Sequence, residues 1–202
     1  MRPFGPTPAA RIARTLGGAA LAALIAAPAT AAGWTTVDDQ SSVAFGSIKS
    51  DTVGEVHHFE RVKGTVAEDG KLMLDIDLAS AQTNIDIRNE RIAKLLFQEG
   101  KATARLVGEI DMDEVSALGV GETALVDIEG VLAFGGLDAD IEATMLVARL
   151  AEDRVLVTTA DFIMLETADL GIDAGVDQLM ELAGLPGITR VTPIAARLVF
   201  EK

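Results

Sequence analysis

The sequence predicts an all-β domain in which one antiparallel sheet closes into a barrel or folds into a sandwich. About eight segments, each roughly 8–14 residues long, alternate apolar and polar residues with the period of a half-buried strand. Glycine-containing turns separate several of them, so consecutive strands are joined largely as hairpins. A sheet of that many long strands is expected to close or to fold over itself.

The alternation is clearest in residues 71–78, where every second residue is leucine or isoleucine and two aspartates lie between them. A Glu-Asp-Gly turn precedes this segment, and Gly135-Gly136 separates two later ones, both suited to a positive φ. The other predicted strands are residues 42–49, 55–66, 102–111, 124–134, 137–147, 154–163 and 190–200.

Two segments follow a helical period instead. Residues 86–98 place Ile92, Leu95 and Leu96 at helical spacing, and residues 173–185 show the same period before a Gly-Leu-Pro sequence. We therefore expect one or two short helices on loops, placed to cover an end of the barrel.

Residues 1–32 are predicted to be a cleaved signal peptide. Three arginines and no acid precede an uncharged Ala/Leu/Ile run of about a dozen residues, fewer than the roughly 20 that span a bilayer. Small residues follow where a signal peptidase cuts. Cleavage would leave one domain, residues 33–202, in the periplasm and would take the net charge from −14 to −17. The chain has no cysteine, so its core must suffice without disulfides.

Composition and motifs argue against several classes of function. The 31 acidic residues outnumber the 17 Lys and Arg, which argues against nucleic acid as a partner. The lack of cysteine excludes a thiol nucleophile and a Cys-ligated metal. Neither a glycine-rich nucleotide loop nor a Gly-x-Ser-x-Gly elbow is present.

The remaining polar motifs predict neither a catalytic residue nor a metal site. His57 and His58 are adjacent, so in a strand they point to opposite faces, and we interpret them as a solvated strand end. Residues 111–114 are acidic enough to bind calcium in a turn, but the other ligands of an EF-hand loop are missing.

Five motifs, in order over nearly all of residues 33–202, resemble the YceI-like family. They are Trp34-Thr35-Thr36-Val37-Asp38 with Ser41-Ser42-Val43-Ala44-Phe45, Phe59-Glu60-Arg61-Val62-Lys63-Gly64, Thr83 to Ile92 with Leu95 and Phe97, Asp169-Leu170-Gly171-Ile172, and Leu182 to Pro186 with Val191 to Ile194.

The chain also departs from the family pattern at several positions. Asn89 stands where the family has Asp, and Leu170 stands where it has Phe. Thr167 replaces a frequent Arg, so a headgroup contact through that arginine does not carry over.

The resemblance implies an exported, eight-stranded, lipocalin-like antiparallel β-barrel that holds a long isoprenoid, a polyprenyl or quinone-type lipid, in an apolar lumen. It implies no catalytic cofactor. Small inward residues, mostly Ala and Gly, predict unfilled space in that lumen. Leu179 and Met180 are expected to belong to a lid. The predicted lining residues are Phe45, Phe59, Leu72, Leu74, Leu132, Phe134, Met145 and Phe162.

Three functions stay open on the sequence. The first is an exported lipid carrier or store, whose partner is a hydrophobic small molecule, with transient membrane contact and a homodimer as further expectations. The second is a hydrolase or isomerase acting on an amphiphile. The third is a structural module whose lumen is packed shut by side chains such as Phe45, Leu72 and Leu132.

Overall fold

The computed structural model describes residues 32–97 and 103–202. The first 31 residues of the predicted signal peptide lie outside the described residues, as does Ala102. The strands are β1 (Ala32–Thr36), β2 (Ser42–Lys49), β3 (Val53–Phe59), β4 (Val62–Ala67), β5 (Lys71–Asp77), β6 (Ala81–Gln82), β7 (Thr103–Glu109), β8 (Thr123–Phe134), β9 (Leu137–Ala151), β10 (Arg154–Thr159), β11 (Ile163–Glu166) and β12 (Val191–Glu201). The α-helices are α1 (Asp86–Leu95), α2 (Met112–Ala117) and α3 (Asp173–Ala183).

In the described part of the chain the strands form one closed antiparallel barrel with eight wall segments. Four segments consist of two strands in line: β1 with β2, β3 with β4, β5 with β6, and β10 with β11. Neighbouring segments follow one another along the chain. The last strand, β12, closes the barrel by pairing with β10 and β11 on one side and with β1 and β2 on the other. The predicted eight-stranded antiparallel barrel is confirmed.

The predicted strand over residues 55–66 is interrupted between Phe59 and Val62, where the side chain of Ser80 takes the place of a backbone partner in the sheet. The Arg61 amide donates to Ser80 Oγ (3.0 Å), and this hydroxyl donates to the carbonyl oxygen of Asp77 (2.5 Å). The chain therefore bends between β3 and β4. The predicted strand over residues 154–163 is likewise interrupted, because β10 ends at Thr159 and β11 begins at Ile163.

Glycines at the turns and on the facing strands have different roles. Gly135 (φ 59°) and Gly136 (φ 93°) form the predicted two-residue hairpin between β8 and β9. Gly108 and Gly130 face each other across β7 and β8, and a Cβ on Gly130 would lie 2.6 Å from the Val107 carbonyl oxygen. These two inward glycines let backbones approach, so the interpretation of them as unfilled space is wrong.

The predicted helices form α1 and α3, which pack together over one end of the barrel. Gly175 permits this packing, because a Cβ there would lie 2.3 Å from the carbonyl oxygen of Leu95. Neither helix, nor any other in the described residues, is long and apolar enough to span a membrane.

Helix α2, at the opposite end, was not predicted. The Asp111 carboxylate accepts from the Asp113 amide (2.9 Å) and so caps the helix. The acidic run at 111–114 thus begins a helix rather than a calcium-binding turn. The described residues contain no group of three or more potential metal ligands.

Candidate functional site

The barrel encloses two adjoining apolar cavities. The large cavity, about 450 Å³, lies under α1 and α3, and the small cavity, about 140 Å³, lies beside α2. The large cavity falls within the range of about 300–1,000 Å³ that is usual for small-molecule sites. Five residues belong to the lining of both cavities, and we call them the junction: Val43, Ile76, Leu132, Leu165 and Ile194.

The small cavity is almost wholly apolar, since Thr159 is its only lining residue with a polar side chain apart from the indole of Trp34. Trp34 is 6% exposed, and the Arg149 guanidinium lies 5.5 Å from its ring centroid. Apolar side chains from the wall segments, mostly aliphatic but with Phe200 among them, provide most of the remaining surface. The α2 end contributes Ile110, Met112 and Val115. This cavity offers a ligand dispersion contacts and almost no hydrogen bonds.

Eight of the ten sequence-predicted residues lie on the lining of the two cavities. The side chains that could have packed the lumen shut form its wall instead. Whether these residues contact a ligand stays a prediction. Leu72, Leu74 and Met145 line the small cavity, Phe45, Phe59, Phe134 and Leu179 line the large one, and Leu132 lines both.

Phe162 lines neither cavity, which corrects its predicted placement; Met180 also lines neither, but it lies on α3, the helix over this end of the barrel. Phe162 is 70% exposed because it lies in the interruption between β10 and β11, where the alternation of the strand is lost. Met180 is half-buried, with its sulfur 3.7 Å from Arg190 Nη2, because the rotation of the helix turns it away from the cavity that Leu179 faces.

One side of the large cavity carries a set of polar residues that the sequence analysis missed. We call this set the polar cluster: Ser47, Lys49, Glu55, His57 and Arg88. Arg88 Nη1 donates to Glu55 Oε2 (2.7 Å), and Lys49 Nζ lies 3.1 Å from Glu55 Oε1. Arg88 Nη2 also donates to the carbonyl oxygen of Thr83 (2.8 Å) in the loop before α1, and the pairing of Arg88 with Glu55 on β3 ties α1 to the barrel wall.

The carboxylate of Glu55 is held ionised. Partial burial raises its pKa, but hydrogen bonds and charges from Arg88 and Lys49 outweigh burial, so the pKa lies below its usual value. This residue therefore serves as an ion-pair partner within the cluster.

His57 is the most buried member of the polar cluster, at 3% exposure. Its Nε2 lies 3.1 Å from Ser47 Oγ, and its ring centroid lies 5.1 Å from that of Phe45. His58 is exposed on the opposite face. The opposed directions are confirmed, but the interpretation of His57 as solvated is wrong. Residues two apart in a strand point to the same face, so the inward direction of Phe59 was the signal that His57 also points inward.

Acidification is expected to destabilise the protein through His57. Burial lowers the pKa of His57 below its ordinary value of 6.5, and the Arg88 charge adds to this effect. The unfolded chain then binds a proton more readily, so the free energy of unfolding falls as the pH drops below about 6.5. Urea unfolding at pH 7.5 and 5.5 measures this slope.

The matched variants are His57→Phe and His58→Phe. The first is expected to flatten the pH dependence, and the second is expected to retain it. An unchanged slope in His57→Phe would contradict the assignment. Glu55 does not interfere with this measurement. Because its pKa is lowered from an ordinary value of 4.5, it affects stability only at a pH below the range of 7.5 to 5.5.

Two residues at which the chain departs from the family pattern have structural roles. Asn89 Oδ1 accepts from the Thr83 amide (2.8 Å) and hydroxyl (2.6 Å), which fixes the start of α1. Thr167 lines the large cavity, and its hydroxyl donates to Asp173. Position 167, where the family pattern often has an arginine, therefore adds no charge to this lumen.

Comparison with known proteins gave structural neighbours only, since neither a family model nor a curated protein matched. A polyisoprenoid binding domain from Saccharophagus degradans, implicated in plant cell wall breakdown, is 31% identical over 84% of this chain and 98% of its own, with a TM-score of 0.81. BcnA from Burkholderia cenocepacia is 17% identical over 81% of this chain and 98% of its own, with a TM-score of 0.62. The second likeness shows the fold alone.

Proposed function

The chain belongs to the YceI-like family, and from this premise we propose that it binds one long isoprenoid lipid in the barrel lumen. The observation that carries the proposal is the pair of adjoining cavities, whose junction is formed by aliphatic side chains alone. The 31% identical neighbour, a polyisoprenoid binding domain, supports the same ligand class.

Partitioning into the lumen would supply the affinity. Each buried CH₂ contributes about 0.8 kcal/mol, so several isoprene units contribute on the order of 10 kcal/mol before the cost of ordering the chain. An apolar wall discriminates poorly between apolar ligands except through length and width. The selectivity for chain length is therefore set by the combined extent of the two cavities.

We further propose that the protein works in the periplasm as a carrier or store. The predicted signal peptide supports export. Exposed apolar residues beside the large cavity, Ile85 and Ile87 near the start of α1 and Leu182 on α3, favour transient contact with a bilayer during loading. A homodimer stays an expectation.

The enzymatic alternative has less support than binding. A hydrolase or isomerase of this kind would need a lumen carboxylate with a raised pKa. Among the described residues, Glu55 is the one carboxylate on the lining of the two cavities, and its pKa is lowered. The geometry therefore favours a binding protein.

Extraction of the purified protein tests the proposal. The full chain is expressed in a bacterium that makes polyprenyl lipids, recovered without detergent from the periplasmic fraction, and extracted for mass spectrometry. We expect about one isoprenoid per protein and a mature N-terminus near residue 33. A folded protein that yields no isoprenoid would overturn the binding proposal, and recovery only from the cytoplasm would overturn the location.

A further inference from the structure

We propose that His57 and Arg88 select the polar end of the lipid and that they bind an uncharged oxygen, the hydroxyl of a prenol or the carbonyl of a quinone. This inference rests on the proposed function and adds the chemistry of one end of the ligand. The residues that carry it are not among those predicted from the sequence.

Two buried polar atoms without hydrogen-bond partners belong to residues that line this wall of the large cavity. Among the described residues, His57 Nδ1 and Arg88 Nε are the buried side-chain nitrogen or oxygen atoms that have no hydrogen-bond partner. Both residues line the same cavity. Buried polar groups without partners cost free energy, so proteins rarely keep them unless a ligand or another group satisfies them.

The hydrogen-bonding capacity that remains in the polar cluster specifies the ligand. Arg88 uses Nη1 on Glu55 and Nη2 on the Thr83 carbonyl, so its Nε–H is left as a donor in need of an acceptor oxygen. His57 Nε2 is engaged with Ser47 Oγ, so Nδ1 is left as a donor or an acceptor according to the tautomer. A carbonyl oxygen can accept from Arg88 Nε–H and from His57 Nδ1 when that atom is protonated. A hydroxyl can also donate, so it suits either tautomer of His57.

The ion pairs within the cluster, rather than its net charge of +1, favour an uncharged end over a diphosphate. Glu55 pairs with both Arg88 and Lys49, so a bound oxyanion would compete with a carboxylate already in place. His57 is kept neutral by burial, and Thr167 on the same lining adds no charge. Arg91 is a further cation on this lining, so the experiment includes a diphosphate.

Ligands with the same C20 carbon skeleton test the proposal, with phytane, the saturated hydrocarbon, as the ligand that has no polar end. Delipidated wild-type protein is titrated with geranylgeraniol, geranylgeranyl diphosphate and the C20 hydrocarbon phytane, each delivered from cyclodextrin and read by displacement of a fluorescent fatty acid. We expect geranylgeraniol to bind about tenfold tighter than phytane, the effect of one or two net hydrogen bonds.

Variants at the two adjacent histidines are the matched pair. His57→Phe is expected to remove most of the preference for the alcohol over phytane. His58→Phe, on the outer face, is expected to keep the preference. His57→Gln is expected to restore part of it, because an amide offers both a donor and an acceptor.

The outcomes separate this inference from the proposed function. If the three C20 probes show no saturable binding, the proposed function fails. If the alcohol and phytane bind equally, or if His57→Phe changes nothing, lipid binding stands and the role of His57 is overturned. If the diphosphate binds tightest, the preference for an uncharged end is overturned.

Discussion

Leu165→Trp is expected to weaken the binding of a long polyprenol such as solanesol (C45) by at least about a hundredfold while farnesol (C15) binds nearly as before. Leu165 is a junction residue, half-buried and on the lining of both cavities. An indole there would separate the large cavity from the small one. Exclusion of even one five-carbon isoprene unit removes roughly 4 kcal/mol of burial, and a hundredfold loss corresponds to about 2.7 kcal/mol. Titration of the two alcohols against each variant measures the effect.

The matched control is Met164→Trp on the same strand. Met164 points outward and is 58% exposed, so the same indole there adds apolar surface without entering the lumen. Its binding of solanesol is expected to equal that of the wild type. If Leu165→Trp also bound solanesol with wild-type affinity, the lipid would not cross the junction and would be confined to the large cavity.

The alternation of apolar and polar residues was enough to predict the wall of the barrel. In residues 71–78 the pattern fixes which side chains face inward, because a strand has only two faces. The interruptions of the wall segments were not predictable in this way. The bend between β3 and β4 depends on Ser80, which is distant in sequence and supplies both a hydroxyl and a carbonyl oxygen to the gap.

The candidate site was predictable only where it continues a regular strand. Leu132 and Met145 belong to long uninterrupted strands, and both line the lumen as predicted. Phe162 failed because it follows the end of β10, and aromatic character alone does not indicate direction. His57 was missed because residue type was given more weight than alternation, although its neighbour Phe59 pointed inward. Pairing of Glu55 with Arg88 joins a strand to a helix 33 residues away, which no local pattern reveals.

The small cavity should depend on Gly70 at the turn between β4 and β5. Gly70 has φ +86°, and a Cβ there would lie 2.2 Å from the Ile110 carbonyl oxygen. The Ile110 amide also donates to the Gly70 carbonyl oxygen (3.0 Å), so the turn holds a residue that lines the small cavity. Gly70→Ala therefore combines left-handed strain of about 1–2 kcal/mol with a collision that displaces this hydrogen bond. We expect the free energy of unfolding to fall by roughly 1.5–3.5 kcal/mol, as measured by urea denaturation.

Gly121→Ala separates the two causes. Gly121 has φ +89°, nearly the same backbone strain, but nothing lies within 4 Å of the position its Cβ would take. Its loss of stability should therefore be the strain alone, about 1–2 kcal/mol, and less than that of Gly70→Ala. Equal losses in the two variants would mean that the Ile110 contact does not constrain the turn. A larger loss at Gly70, accompanied by weaker binding of solanesol but not of farnesol, would mean that this hairpin fixes the depth of the lumen.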